Sequence, residues 1–352
     1  MQYDIVIVGA GPSGSTLARL LDKNFKILIL DGRFYSNKKV QKPCGGLLAP
    51  DAQKVLARFE ITLPKDILVN PQIFAVKTID VCTEKIKHYQ RSYINMDREK
   101  FDDWLISLIP DNVDIVEGKC IDTKRKNNIF SVTYKNRDNK IKTIEAKYII
   151  GADGGNSFVR RSFFPEKKPK AYVAIQQWFK ATNENPFYSC IFDKKTSDCC
   201  SWSINKDEYF IFGGSFDKKN CRTKFEEQKT RLKKFGFNFD NPLKTEACIV
   251  LRPNSFADFC CGKDGVFLIG EAAGYISPSS FEGISWGFNS AITLAKIINS
   301  NTKNPNKIYT RKTFKIRFKL FLKILKCPFM YNPFLRKMVM NSGLSSIKII
   351  ED

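Results

Sequence analysis

Three glycines, an acid and a thiol are the residues of this sequence with the most chemistry to offer. Gly9, Gly11 and Gly14 stand as GAGPSG directly after the apolar run DIVIV. That spacing suits a strand-to-helix turn, with small residues for the tight bend, for close approach of the backbone to a pyrophosphate, and for helix-on-strand packing. The helix that follows, with Pro12 and Ser13 at its start, would aim its unbonded amides at that phosphate. A second apolar run ends at Asp31, followed by Gly32 and Arg33. The acid lies about 20 residues past the glycines, where it accepts hydrogen bonds from ribose hydroxyls. The set predicts a bound adenine dinucleotide. Cys44 lies in KPCGGLLAP, between Pro43 and the pair Gly45-Gly46. Without a Cβ, those two let the backbone approach a planar ring before Leu47 opens the next element. His88 is the single histidine, so no Ser-His-Asp or Cys-His nucleophile can be assembled. General-acid work then falls to water, a tyrosine or a thiol such as Cys44.

The elements that must position these residues follow from hydrophobic periodicity. YDIVIVGAGPSGSTLARLLDKNFKILILDGR reads as strand, glycine turn, helix (Leu17, Leu20, Leu21) and a second strand from Lys26 to Leu30, a βαβ unit. An amphipathic helix is expected near Asp51 to Phe59, strands across 71–95, a helix in MDREKFDDWLISLI, and a hairpin turning at Asp138-Asn139. From about 171 to 255 the chain is strand-rich again, in YVAIQQWFKA, FYSCIFD, CCSWSIN, EYFIFGGSF and ACIVLRP. GVFLIGEAAGYISPSSFEGISWGFNSAITLAKII then reads as strand, glycine-rich loop and long helix. The expected fold is α/β. A Rossmann-like dinucleotide-binding domain is drawn from residues 1–70, 96–170 and 256–300, an inserted antiparallel-sheet substrate domain from 71–95 and 171–255, and a basic helical region from 301–352.

Two further stretches identify the dinucleotide. Gly151-Ala152-Asp153-Gly154-Gly155-Asn156-Ser157 with Arg160 and Arg161, and Leu268-Ile269-Gly270-Glu271-Ala272-Ala273-Gly274 before a long helix, resemble the second and third FAD motifs of the hydroxylase-like flavoproteins. Together with PCGGLL, DREKFDDWL and GEAAGYISPSSFEGI they resemble the geranylgeranyl reductase superfamily, flavoproteins that saturate isoprenoid double bonds. The resemblance is closer still to the CbrA-type branch, associated with tolerance to colicin M, through KPCGGLLAPDAQ, YQRSYIN, YVAIQQWF, PFYSCIFD and LIGEAAG. It covers nearly the whole chain.

The resemblance implies FAD in a domain of the hydroxylase or glutathione-reductase type. It implies that Asp153 and Gly154 lie beside the pyrophosphate, and that Glu271, one methylene longer than the usual Asp, receives a ribityl hydroxyl after Gly270. Pro278, Gly283 and Ile284 would lie where the last helix opens against the flavin N1–C2=O edge, whose anionic reduced form a helix N-terminus stabilises. Arg98 matches an arginine placed near the cofactor, and Cys44, Gly45, Gly46 and Leu47 would lie against the isoalloxazine. The implied chemistry is hydride delivery from reduced FAD to one alkene carbon, with a proton to the other. Cys44 and Trp202 are the catalytic candidates. The family signature YxWxFP is met here by Ser201-Trp202-Ser203-Ile204-Asn205, which keeps the Trp and lacks the Phe-Pro. Trp178, Phe179, Phe187, Tyr188, Phe192, Trp202, Tyr209, Phe210 and Phe212 either line an apolar tunnel or form the core face of a sheet, the second reading being preferred for most. With no second glycine fingerprint, the external electron donor stays open between NAD(P)H and a ferredoxin or flavodoxin. A class A-type monooxygenase and a non-catalytic flavin- and lipid-binding tolerance factor are the alternative functions.

The charge points the same way. The formal net charge is +22, and between Glu282 and Glu351 no acid occurs among thirteen Lys and Arg. In residues 306–326 Phe314, Phe318, Phe321, Leu322 and Leu325 recur at helical spacing beside Arg311, Lys315, Lys319, Lys323 and Lys326. Such a basic amphipathic helix either lies on an anionic membrane surface or packs on its own domain. A lipid or other hydrophobic small molecule is the expected substrate, with no nucleic acid partner, since no recognition module accompanies the charge. Eleven cysteines without CxxC pairs and with one histidine make neither a metal framework nor a haem site, and are expected as reduced thiols, mostly buried, in a cytoplasmic protein with peripheral membrane contact as an open reading.

Overall fold

Valine and isoleucine without period-two alternation suit a strand covered on both faces, and QYDIVIV forms the strand Gln2–Val8 with Ile5, Val6 and Ile7 fully buried. The computed structural model describes residues 2–35, 38–39, 42–180 and 187–349. In it Gln2–Val8 lies in a parallel sheet between Ile27–Asp31 and Ile141–Gly151, with Val113–Lys126 and Val266–Leu268 beyond them. Helix Pro12–Leu20 joins the first two strands, giving the βαβ unit. Val113–Lys126 runs on past the parallel sheet and returns through Ile129–Asn136 to Ile141–Gly151 as an antiparallel meander. Its turn falls at Asp138-Asn139, where Asn139 takes φ 63°. Helices Arg98–Ser107, Phe158–Phe163 and Ile284–Asn299 accompany this sheet.

The chain divides into two compact units: Met1–Gln41, Glu99–Lys170 and Leu251–Leu322 in one, Lys42–Arg98, Ala171–Val250 and Lys323–Asp352 in the other. The largest departures from the sequence-based bounds are two. Residues 42–70 group with the second unit because Leu47–Leu48 pairs with Lys85–Asn95 in it. The basic tail does not stand apart; it is shared out, with helix Pro305–Lys312 in the first unit and helix Pro333–Asn341 in the second.

The second unit is built on a large sheet running Lys244–Leu251, Ala171–Lys180, Tyr209–Asp217, Cys200–Lys206, Tyr188–Phe192, Ile73–Asp80, Lys85–Asn95 and Ser346–Ile347. It is antiparallel as expected except at one seam, where Tyr188–Phe192 runs parallel to Ile73–Asp80. Helix Cys221–Leu232, absent from the sequence reading, covers one face. Its Phe225 and Leu232 join Phe179, Phe210, Phe212, Phe216, Phe237 and Phe239 in the core. Periodicity hid it because the same face buries Gln228 and Lys229. Those two are satisfied by Ser201 and Thr196, and by Gln177. At the far end Arg336 of Pro333–Asn341 meets Asp80 at 2.9 Å with both side chains buried.

Candidate cofactor and active site

In the first unit the glycine motif divides its labour. Gly9 takes φ 108°, and a Cβ there would stand 2.6 Å from the Ala152 carbonyl oxygen. A Cβ on Gly14 would overlap the Gly9 carbonyl, so these two glycines are demanded by the packing of helix and strands. Gly11 is different. It takes φ −70°, which any residue adopts, and no atom lies within 4 Å of where its Cβ would be. The protein itself does not require a glycine there, but a pyrophosphate at the uncapped helix N-terminus does. Gly154 likewise faces open space, at φ 72°.

The second and third motifs close on the first. Ser13 lies under both Gly270 and Gly287, so that a Cβ on either would strike its Oγ. Asp153 caps helix Phe158–Phe163, its Oδ2 accepting from the amides of Phe158 (2.6 Å) and Val159 (3.1 Å). Its Oδ1 is buried with no partner among the described residues. Burial pushes the Asp153 carboxyl up, and the hydrogen bonds it accepts pull it back. An unanswered buried acceptor next to Gly154 is suited to a hydroxyl or pyrophosphate-bound water of a dinucleotide. The cradle therefore fits FAD.

Two acids are less open than expected. Both oxygens of buried Asp31 receive Arg33, at 2.9 to 3.1 Å, and Arg33 reaches on to Asp103 at 3.4 Å. These four contacts occupy the four lone-pair sites of the carboxylate, two on each oxygen, so a ribose hydroxyl would have to share with the Arg33 Nε–H, which is split between both oxygens. Glu271 spends Oε1 on the Leu251 amide (2.9 Å); its extra methylene relative to Asp gives it that reach. Pro278 is fixed through its carbonyl by the Arg252 Nε (3.1 Å), and Gly283 opens helix Ile284–Asn299 without a side-chain cap, which leaves that helix end suited to an anionic edge.

Sequence reasoning quoted Arg160 but gave it no role. Its guanidinium is buried and donates to Ala272 O (2.9 Å) and Gly155 O (2.7 Å), tying the second motif to the third. Burial lowers its pKa, and Asp153 and Glu271 oppose that. Arg160→Met strands two buried carbonyls and is expected to destabilise by about 3 kcal/mol. Chemical denaturation and flavin content of the purified variant check it, a flavin-replete protein of unchanged stability being the contrary result.

In the second unit the Cys44–Leu47 loop meets the end of strand Cys200–Lys206. Gly46 takes φ 62°, and a Cβ there would lie 2.6 Å from Lys206 Nζ. A Cβ on Gly45 would lie 2.8 Å from Ile204 and 3.6 Å from the Trp202 ring. Gly46 is required by the protein itself, since a Cβ there would also overlap the Met96 carbonyl oxygen, whereas Gly45 meets only the movable end of Ile204 and the edge of Trp202. Half-buried Cys44 accepts the Gly46 amide at 3.4 Å. Trp202 lies over Gly213 and donates its Nε1–H to Gln176 at 3.2 Å. The two catalytic candidates, 158 positions apart, therefore flank Gly45. Lys206 was not anticipated. It is buried and donates to Asn95 Oδ1 (2.7 Å), Met96 O (2.7 Å) and Gly46 O (3.3 Å), and burial depresses its pKa to about 8.

Other assignments separate from these groups. Phe179, Phe210 and Phe212 belong to the core under helix Cys221–Leu232, and Phe192 packs on Tyr331, as the core reading holds. Trp178 bonds Glu246 (2.8 Å), beside Tyr209. Arg98 begins helix Arg98–Ser107 half-buried. His88, on Lys85–Asn95, packs its ring tilted against Phe187 at 4.9 Å between centroids. Cys199, Cys200, Cys260 and Cys261 are buried thiols outside any disulfide.

Comparison with known proteins agrees with the cradle. The family described as FAD binding domain matches residues 121–305. Protein CbrA of Shigella sonnei is 46% identical over 99% of this chain and 99% of its own length. A geranylgeranyl bacteriochlorophyll reductase-like protein from Thermoplasma acidophilum superposes with a TM-score of 0.79 at 20% identity, covering 99% of this chain and 92% of that one. PqsL, a probable FAD-dependent monooxygenase from Pseudomonas aeruginosa, does so with a TM-score of 0.68 at 14% identity, over 97% of this chain and all of its own. At those identities the two structures speak for the fold.

Proposed function

The chain belongs to the CbrA family and carries its FAD-binding domain, and from that premise we propose that it reduces carbon–carbon double bonds of a polyprenyl or other lipid-like substrate. What supports this reading is that Gly45, next in the chain to Cys44, packs against the ring of Trp202 on strand Cys200–Lys206, which brings a thiol-bearing turn beside a flat apolar surface. Bound and reduced, FAD supplies a hydride equivalent to one alkene carbon. Cys44 gives the other carbon its proton, and the thiolate left behind is reprotonated from water. Trp202, held by Gln176 and flattened onto Gly213, offers an apolar face that orients the chain of the substrate. No role is given to His88, which lies on strand Lys85–Asn95 against Phe187.

The test is anaerobic incubation of the dithionite-reduced holoprotein with polyprenyl lipids, read by mass spectrometry. A gain of two hydrogens is expected; no gain on any lipid sinks the reading. Oxygen incorporated from air into an added substrate would instead favour a monooxygenase, and lipid bound without flavin reoxidation a tolerance factor. Cys44→Ala is expected to keep its flavin and lose roughly 100-fold in turnover, the usual contribution of a positioned general acid. Full turnover would return Cys44 to a packing role.

A further inference from the structure

The C-terminal helices resolve one open question and raise another. Helix Pro305–Lys312 packs on its own unit: Asn306 bonds Val266 O (2.7 Å) and the Gly265 amide (2.9 Å), and buried Tyr309 donates to Leu268 O (3.0 Å). In helix Phe314–Tyr331, however, the apolar residues are split. Ile316 and Leu320 are buried, while Phe314 (53%), Phe318 (46%) and Leu322 (49%) are exposed. This row is continued along the same helix by exposed Leu325 and Phe329. At 1.5 Å per residue it is about 22 Å long. Exposed Lys315, Lys319 and Lys326 border it.

A second feature adjoins its first member. Phe314 also lines an open groove of about 780 Å³ whose other walls include Lys263, Lys303, Lys307, Arg311 and Arg317. Among the described residues its one acid, Asp264, is already shared by Arg125 (3.6 Å) and Lys263 (3.9 Å). Arg317 holds Phe314 in place, its guanidinium over the rings of Phe314 (5.9 Å) and Phe256 (5.2 Å).

We infer that this face docks on an anionic phospholipid bilayer. The row Phe314–Phe318–Leu322 enters the acyl boundary and the groove between Lys263, Lys303, Lys307 and Arg311 receives the phosphate headgroups. Charge decides the occupant. An apolar row bordered by cations, in a segment with thirteen positive charges and no acid, is repelled by a second copy of itself and is drawn to a surface that is both negative and oily. Nucleic acid answers the cations but leaves leucines such as Leu322 exposed. The inference is independent of the reductase reading, because binding is measured without turnover. No helix among the described residues is long and apolar enough to cross a membrane, so the contact is interfacial.

The experiment is co-sedimentation of the full-length holoprotein with phosphatidylcholine vesicles, with and without phosphatidylglycerol. Binding is expected to need the anionic lipid and to weaken as salt is raised. The double variants Phe318→Ser/Leu322→Ser and Lys307→Glu/Arg311→Glu should each bind at least about tenfold less while their flavin absorbance and melting temperature stay unchanged. No binding to the anionic vesicles, equal binding to neutral ones, or a vesicle-free dimer dissolved by the same substitutions would overturn the inference.

Discussion

Gly11→Asp is expected to leave the fold intact and strip the protein of FAD, whereas Gly14→Val is expected to cost it both. The two glycines stand three residues apart in one motif and differ in what surrounds them. At Gly11 the backbone is extended and the space beyond is open. Asp is a favourable N-cap, better than glycine by a few tenths of a kcal/mol, so the apoprotein loses nothing. The new carboxylate occupies the phosphate ground with the wrong charge, and affinity for FAD should fall at least about 100-fold, or about 2.7 kcal/mol. At Gly14 any Cβ meets the Gly9 carbonyl, with Ala152 3.3 Å away. Neither helix nor strand can withdraw, and overpacking of this kind costs about 3 kcal/mol. Thermal unfolding of the apoproteins and titration with FAD separate the two effects. If Gly11→Asp bound FAD as tightly as the parent protein, the pyrophosphate would not lie there.

Lys206→Met should destabilise the second unit, by an amount that depends on pH. At neutral pH the substitution leaves Asn95 Oδ1 and Met96 O without their donor, a loss of about 2–4 kcal/mol. Burial has depressed the amine from 10.5 to about 8. Between those values the unfolded chain binds the proton and the folded chain does not, so stability rises with pH across that window. Below pH 8 both states are protonated and the folded state carries the whole burial penalty. The advantage of the parent protein over Lys206→Met should therefore widen by about 3 kcal/mol from pH 8 to 10.5. Urea unfolding of both proteins across that range checks the sign; a constant difference would mean that Lys206 titrates as it does in water. Gly46, at φ 62° beside Nζ, links this cation to the Cys44 turn.

The nucleotide half of the protein was legible because its determinants are local. A glycine turn must directly follow its strand, and Gly9, Gly11, Gly14 and Asp31 lie within one βαβ unit. The strands of the large sheet were legible for the same reason. Helix Cys221–Leu232 was not, because its buried face is part polar and made acceptable only by Ser201, Thr196 and Gln177 on distant strands. The tail was legible as basic and amphipathic, but periodicity grouped Phe318 and Leu322 with half-buried Phe321, which packs on Phe256. A wheel cannot say which of two apolar rows meets the protein.

By itself, then, the sequence determined the cofactor class, the α/β plan and the residues worth watching, since these depend on residue type and short spacing. Only the tertiary structure decided that Gly46 is held small by the Met96 carbonyl, that Arg160 bridges two motifs 112 positions apart, and that a lysine lies buried behind the Cys44 turn. Each depends on which atoms arrive across long loops, and a hydrogen bond or a steric limit has no trace in the order of residues until the fold closes it.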